Sequence, residues 1–312
     1  MTRYFTNSEH QTWKRCRRKW WFVYYRRLRR KQLDLVGVRK IGSRLHEALR
    51  AYYSPTPMDP FLVLHNGFLQ DAHVLPIGDV SVADRFHKDR ELATIMLEGY
   101  VQWLQETGAD QGLSIIAAEQ KLEVQSPWVD VKLMGKLDLR VTREIDNARL
   151  FLDHKTVGSF GQATSTLHMD EQMMFYHLLE FLKALEEGVP EQVSDGALYN
   201  MLRRVKRTGT AKPPFYERIE VRHNKHELRS LFVRVHGAIT AVLDAEARLL
   251  RGDDPNYVAF PSPTRNCSWD CDFFDACPMV DDGSDVEGFL NAYFEEADPY
   301  EHYEQEGEFD LD

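Results

Sequence analysis

No stretch of this chain approaches the roughly 20 consecutive apolar residues that a membrane helix needs, and its opening, MTRYFTNSEH, lacks the apolar core of a secretory signal. The expectation is a cytosolic protein. Cysteine is scarce as well, with four residues in 312: Cys16, Cys267, Cys271 and Cys277. A reducing compartment does not sustain disulfides, so buried thiols or metal ligands are the readings left. Residues 281 to 312 contain no Lys or Arg at all beside thirteen acids. No internal repeat is present.

The cations are elsewhere. A net charge of −10 would argue against a nucleic-acid partner if it were spread evenly, but residues 1 to 50 hold fifteen Lys or Arg against three acids, Glu9, Asp34 and Glu47. Without the acidic end the body is mildly positive, which suits phosphate binding. The segment WKRCRRKWWFVYYRRLRRK interleaves cations with aromatics, a mixture that tracks phosphates and stacks bases. Lys14, Arg17 and Arg18 are its candidate contacts. A second basic stretch, Arg203, Arg204, Lys206, Arg207 and Lys212, surrounds a Thr-Gly turn. The acidic end has the composition of a solvated or partly disordered tail; the sharper alternative is a competitor for the nucleic-acid groove.

Apolar spacings of three and four predict helices over about 7–28, 41–53, 91–106, 168–186 and 225–250. Alternation predicts strands over about 114–124, 131–142, 148–155, 196–202 and 215–221. Residues 60–90 show no clear period. The expected fold class is α/β, a central mixed sheet flanked by helices. One domain over 1–280 is expected, with a helical insertion at about 54–110 and the cysteine-bearing segment 265–280 packed on the first helix.

The chemistry concentrates in GKLDLRVTREIDNARLFLDHKT, residues 135–156. A hairpin turning at Glu144–Asn147 and centred between Ile145 and Asp146 sets Asp138 opposite Asp153. Facing side chains in an antiparallel pair have Cβ atoms about 5 Å apart, so two carboxylates there repel unless a cation lies between them. Mg²⁺ or Mn²⁺, with their preference for oxygen ligands, answer that need. Alternation puts Lys155 on the face of Asp153 and turns His154 away. A carboxylate within LFLDHKT needs a partner, because an unpaired charge among apolar groups is costly.

These residues resemble the RecB-like branch of the PD-(D/E)XK nucleases, whose core reads G-x-x-D, D/E-x-K and Q-x-x-x-Y; the counterparts are Gly135 to Asp138, Asp153 to Lys155 and Gln172 to Tyr176. An early helical histidine of that branch is matched by His46 in IGSRLH. The resemblance implies a restriction-endonuclease-like core. It also implies metal binding by His46, Asp138, Asp153 and the backbone carbonyl of His154, with Lys155 acting on the water and Gln172 and Tyr176 completing the site. Glu119 is a further acid of lower rank, either a site member or a paired strand residue.

Cys267, Cys271 and Cys277 fall in NCSWDCDFFDACP, and Cys16 lies on the first helix. Zinc sites usually offer two short C-x₂₋₄-C pairs, so zinc fits less well. One remote cysteine plus a C-terminal trio resembles the iron–sulfur staple of AddB subunits and of CRISPR-associated RecB-type exonucleases, although this trio is C-x₃-C-x₅-C where those relatives are nearer C-x₂-C-x₅-C. That resemblance implies a structural 4Fe-4S cluster on Cys16, Cys267, Cys271 and Cys277. The implied activity is metal-dependent DNA exonuclease action on single-stranded or frayed ends, in recombination, repair or replication. A helicase or recombination partner and a homo-oligomer are compatible with it. The alternatives are a non-catalytic iron–sulfur DNA-binding module and a zinc-stapled interaction protein.

Overall fold

A computed structural model describes residues 2–32, 34–56, 58–189 and 193–304. Along the chain come β1 (Tyr4–Thr6), α1 (Asn7–Arg15), α2 (Arg17–Trp20), a π-helical turn (Trp21–Tyr25), β2 (Leu28–Arg30), α3 (Val38–Tyr53), α4 (Pro60–His73) and α5 (Val80–Thr107). Next are β3 (Leu113–Gln125), β4 (Lys132–Arg143), β5 (Ala148–Val157), α6 (Phe160–Thr164), α7 (Glu171–Glu187), β6 (Gly196–Arg203) and β7 (Tyr216–Val221). The last elements are α8 (Lys225–Leu250), α9 (Pro255–Val258), α10 (Cys267–Asp270), α11 (Ala276–Asp282), α12 (Val286–Tyr293), β8 (Phe294–Glu296) and α13 (Glu301–Glu304). The fold is α/β, with parallel and antiparallel strands in a sheet flanked by helices, as expected. The chain divides into two compact units.

The unit formed by Asp34–Leu122 and Lys136–Asn224 is built on strands in the order β4-β5-β6-β7. β4 and β5 form an antiparallel hairpin with Leu139 facing Leu152 and Arg143 facing Ala148, the register expected from a turn centred between Ile145 and Asp146. β5 and β6 run parallel, and β6 and β7 antiparallel. Leu139, Val141, Leu150 and Leu152 pack against Leu45, Leu49, Met96 and Tyr100 of α3 and α5. The intervening residues of β4 and β5 point to α7: Arg140 pairs with Glu180, and Phe151 packs on His177 with ring centroids 4.8 Å apart. Residues 60–90 turn out to be α4 and the start of α5. Phe61, Leu62, Leu69 and Val80 are exposed there, which blurs the apolar period.

His177 offers a pH test of this packing. It is 4% exposed, and neither ring nitrogen has a hydrogen-bond partner among the described residues. Burial pushes its pKa down from 6.5 to about 4. At neutral pH the ring is uncharged in folded and unfolded chains alike. Below the unfolded value only the unfolded chain takes up the proton, so stability falls as pH drops from 6.5 toward 4, by on the order of 3 kcal/mol. Denaturant midpoints at pH about 7 and about 4.5 should show this loss, and His177→Phe should remove that share of it.

The other unit comprises Met1–Leu33, Glu123–Gly135 and Lys225–Asp312. β1 pairs in parallel with the start of β4, and the long α8 covers part of the unit's core with Leu231, Val235, Ile239 and Val242. The single helix expected over 7–28 is broken. Cys16 has an extended backbone, φ −161° and ψ 113°, ending α1 and starting α2. The tail expectation is corrected for residues 281–304; residues 305–312 lie outside the described part. β8 pairs antiparallel with β2, and Phe294, 3% exposed, stacks on Phe273 at 4.7 Å. The acids find cations: Glu287 receives both arms of Arg26 at 2.8 and 2.7 Å, and Arg29 meets Glu295 and Glu301. Leu290, Phe294 and Tyr300, scattered among the acids with no clear period, supply the buried side.

Candidate functional site

Asp138 and Asp153 follow directly from the hairpin register, one residue beyond the Leu139–Leu152 pair and on the α7 side of the sheet. Asp153 is 4% exposed. Its Oδ2 is 2.8 Å from Lys155 Nζ, and no well-directed hydrogen bond reaches that oxygen among the described residues. Lys155 Nζ also donates to Gln172 Oε1 at 2.6 Å, so the amide nitrogen of Gln172 is left to face Asp153 Oδ1 at 3.4 Å and the Tyr176 hydroxyl at 3.0 Å. Asp170 caps α7 by accepting from Gln172 N at 2.8 Å, which sets where that side chain starts. On its other side Asp138 Oδ2 accepts from His154 N at 2.8 Å and lies 3.4 Å from His46 Nδ1. His46 comes within reach because α3 runs close to β5: a Cβ at Gly42, one turn earlier, would meet Thr156 Oγ1 at 3.2 Å.

The charges are strongly coupled. Burial lifts the Asp153 carboxyl above the ordinary range and the Asp138 charge adds to this, with Lys155 opposing. Burial acts the same way on Asp138, but His46 and the His154 N–H outweigh it and hold that carboxyl well below the usual range. Burial disfavours the His46 imidazolium, yet Asp138 overrides it and raises the ring to about 9. Asp153 likewise overrides burial at Lys155 and keeps its amine charged. Two carboxylates and two cations thus offset one another, one carboxylate remaining under-compensated.

His46, Asp138, Asp153, His154, Lys155, Gln172 and Tyr176 are therefore brought together. Glu119 is not among them: its carboxylate pairs with Lys136 at 2.8 Å, and its backbone takes φ 50° within β3. As placed, no group of three or more His, Cys, Asp or Glu among the described residues could hold a metal ion. Sequence reasoning also missed a buried polar set behind β5, made by Tyr53, Tyr100, Asp110, Asn200 and Arg218. Its one visible signal was Asn200, a polar residue inside the otherwise apolar GALYNML.

The basic candidates divide. Arg203 donates to the carbonyls of Pro214 and Lys212, and Arg207 lies 3.6 Å over Phe215 while donating to Tyr216. Lys206 pairs with Glu91. Arg204 is half-buried and its guanidinium has no hydrogen-bond or ion-pair partner among the described residues; burial alone lowers its pKa. In the other unit Lys14 is exposed and Arg17 lies between Trp13 and Phe260, 4.8 Å from each ring. Arg18 is a correction. It is 2% exposed and spends its guanidinium on Asp281, Asn256 and the Cys277 carbonyl, because the break at Cys16 turns it inward. It has no surface to offer DNA.

All four cysteines line one cavity of about 580 Å³, together with Arg18, Lys19, Phe22, Phe273 and the Pro261–Pro263 segment. Backbone N–H groups point at sulfur: Ser262 N lies 3.5 Å from Cys16 Sγ and Thr264 N 3.3 Å from Cys267 Sγ. The Thr264 hydrogen bonds lower the Cys267 thiol, whereas burial, and the neighbouring cysteines with it, raise Cys271 and Cys277.

A family model described as the PD-(D/E)XK nuclease superfamily matches residues 4–278. No curated protein matches the chain. Among solved structures, one titled "Crystal structure of SSO0001" is similar at 12% identity over 64% of this chain and 74% of that one, with a TM-score of 0.28, too low to bear on the fold.

Proposed function

The chain belongs to the PD-(D/E)XK nuclease superfamily, and from that premise we propose that it is a metal-dependent DNA exonuclease of the RecB-like branch whose four cysteines carry an iron–sulfur cluster. The observation that supports the catalytic part best is the assembly of Asp138, Asp153, Lys155 and Gln172 on one face of the β4–β5 hairpin, with His46 reaching Asp138. The side chains as placed do not converge on one point, but the chemistry of this donor set suits a divalent ion. The buried carboxylate of Asp153 and the half-buried one of Asp138 face the same side, and Asp153 is lifted by burial and by the other's charge, a strain that a cation relieves.

His46, Asp138, Asp153 and the His154 carbonyl would hold the ion, which would supply Lewis acidity toward the phosphate and a more acidic water. Lys155, held between Asp153 and Gln172, presents its ammonium where water attacks phosphorus and where charge grows on the phosphate oxygens. Gln172 keeps that amine from swinging onto both carboxylates, and Tyr176 fixes Gln172. The bond broken is P–O3′, leaving the 5′-phosphate and 3′-hydroxyl that the resemblance implies. Arg204, a half-buried cation of this loop whose guanidinium has no hydrogen-bond or ion-pair partner among the described residues, supports a phosphate contact.

For the cysteines, a shared cavity, N–H groups aimed at sulfur and the cations Arg18 and Lys19 on the wall all suit a multi-iron cluster, which is larger than a single ion and carries anionic thiolates. A structural role is proposed, with zinc as the competing occupant.

The test uses anaerobically purified protein with Mg²⁺ or Mn²⁺ on DNA strands labelled or blocked at either end. Stepwise shortening from one unblocked end, abolished by a chelator, is expected. An inactive wild type that still binds single strands would replace this reading with a non-catalytic DNA-binding module.

A further inference from the structure

Asn200 on β6 is fully buried at 0% exposure and faces His154 in the β5–β6 register. Its amide cannot be turned round. Arg218 on β7 donates from Nε to Asn200 Oδ1 at 3.0 Å, and a guanidinium has only donors to offer. Oδ1 must therefore face Arg218, so Nδ2 faces the other way, 2.9 Å from the Tyr100 hydroxyl and 2.8 Å from His154 Nδ1. An amide nitrogen only donates. His154 Nδ1 accordingly accepts, and the ring proton sits on Nε2.

Arg218 is pinned in turn. Nη1 donates to the Ala109 carbonyl at 2.6 Å, and Nη2 to Asp110 Oδ1 at 2.6 Å, with the Tyr53 and Tyr100 hydroxyls at 3.1 and 3.0 Å. The Tyr53 ring stacks on His154 at 5.5 Å and 22°. His154 is thus held by one edge and one face. Its Nε2 is buried with no hydrogen-bond partner among the described residues, an arrangement that costs stability. An aliphatic residue would fill the same space without that cost, so packing alone does not account for a histidine here.

We infer that Asn200, oriented by Arg218 and Asp110, is a positioning residue that locks the His154 ring and, through it, the backbone of His154 between Asp153 and Lys155. The inference rests on the nuclease reading of that strand. His154 is the residue whose N–H reaches Asp138 Oδ2 at 2.8 Å and whose carbonyl, in the next peptide unit, belongs to the implied ligand set. Only the Cα–Cβ and Cβ–Cγ bonds join ring to backbone, so a fixed ring narrows the backbone torsions open to His154. Supporting hydrogen bonds of this kind orient ligands before metal or substrate arrives.

The ¹⁵N NMR spectrum of histidine-labelled, metal-free protein reads the tautomer directly, with the His154 signals identified by their loss in His154→Gln. A neutral ring protonated on Nε2 is expected in the wild type. Asn200→Asp is nearly isosteric and sets an acceptor against Nδ1, so it should move a proton to Nδ1 and weaken Mn²⁺ binding about 10- to 100-fold, with the KM for DNA little changed. Arg218→Met frees the amide to turn and should mix the tautomers. A wild-type ring protonated on Nδ1 would overturn the lock, as would a folded Asn200→Asp protein with unchanged His154 signals and Mn²⁺ affinity. Should Asn200→Asp fail to fold, the wild-type spectrum decides. An inactive wild type with the expected tautomer would instead count against the nuclease reading alone.

Discussion

Replacing Asp153 with asparagine should remove most of the activity and yet leave the metal-free protein more stable. The carboxylate is 4% exposed, with a second carboxylate opposite and burial lifting its pKa. At neutral pH its ionised form therefore weighs against folding, and the amide, nearly the same shape, does not. A gain of about 1 kcal/mol, or a few degrees in Tm, is expected. Lys155 stays compensated in this variant, because Asp138 and Asp170 still attract it. The rate should fall about 10²- to 10³-fold, the range seen when one preorganised charge is lost from a reacting centre. Lys155→Ala should match that loss of rate but with the opposite sign in stability, since the two carboxylates then share one face with Asp153 deprived of its nearest cation. Calorimetry of both metal-free variants beside single-turnover cleavage checks the pair. Full activity in either variant, or Asp153→Asn melting well below wild type, would contradict this account of the site.

Cys16→Ser should bleach the anaerobically purified protein, release its iron and lower its stability by roughly 5 kcal/mol, the chain entropy recovered when a closure of some 250 residues is opened. A cysteine that merely packed between α1 and α2 would cost far less, about 1 kcal/mol for so small a change in a half-buried group. Magnitude therefore separates staple from packing. Cys277→Ser should behave alike, because the proposed cluster needs all four sulfurs lining the cavity. Iron content, visible absorption and Tm together decide. A colourless wild type with stoichiometric zinc would exchange the cluster for zinc, while a Cys16→Ser protein of unchanged colour and melting would remove the staple altogether.

The β4–β5 hairpin was legible beforehand because its determinants are local. Alternation along LFLDHKT and a four-residue turn are enough to set Asp138 against Asp153, and the observed Leu139–Leu152 register agrees. Helical spacing likewise foretold Gln172 and Tyr176 on one side of α7, where they share a hydrogen bond. Residues whose partners lie far along the chain were read less well. Arg18 looked like one more surface cation in a basic run, and only the extended backbone at Cys16 turns it onto Asp281 and the Cys277 carbonyl. The acids after residue 281 read as a solvated tail because composition says nothing of Arg26 or Arg29, more than 250 positions earlier.

What the sequence determined by itself is the set of periods, the hairpin register and the reactive side chains, all governed by contacts within a few residues or one turn. What the tertiary structure decided is which charges are already spent and which remain for a phosphate, and that Asn200, Arg218 and Asp110 meet behind His154. Those outcomes depend on loop closure and burial across 18 to 272 positions, where a side chain's energy is set by its partners and not by its neighbours in the chain.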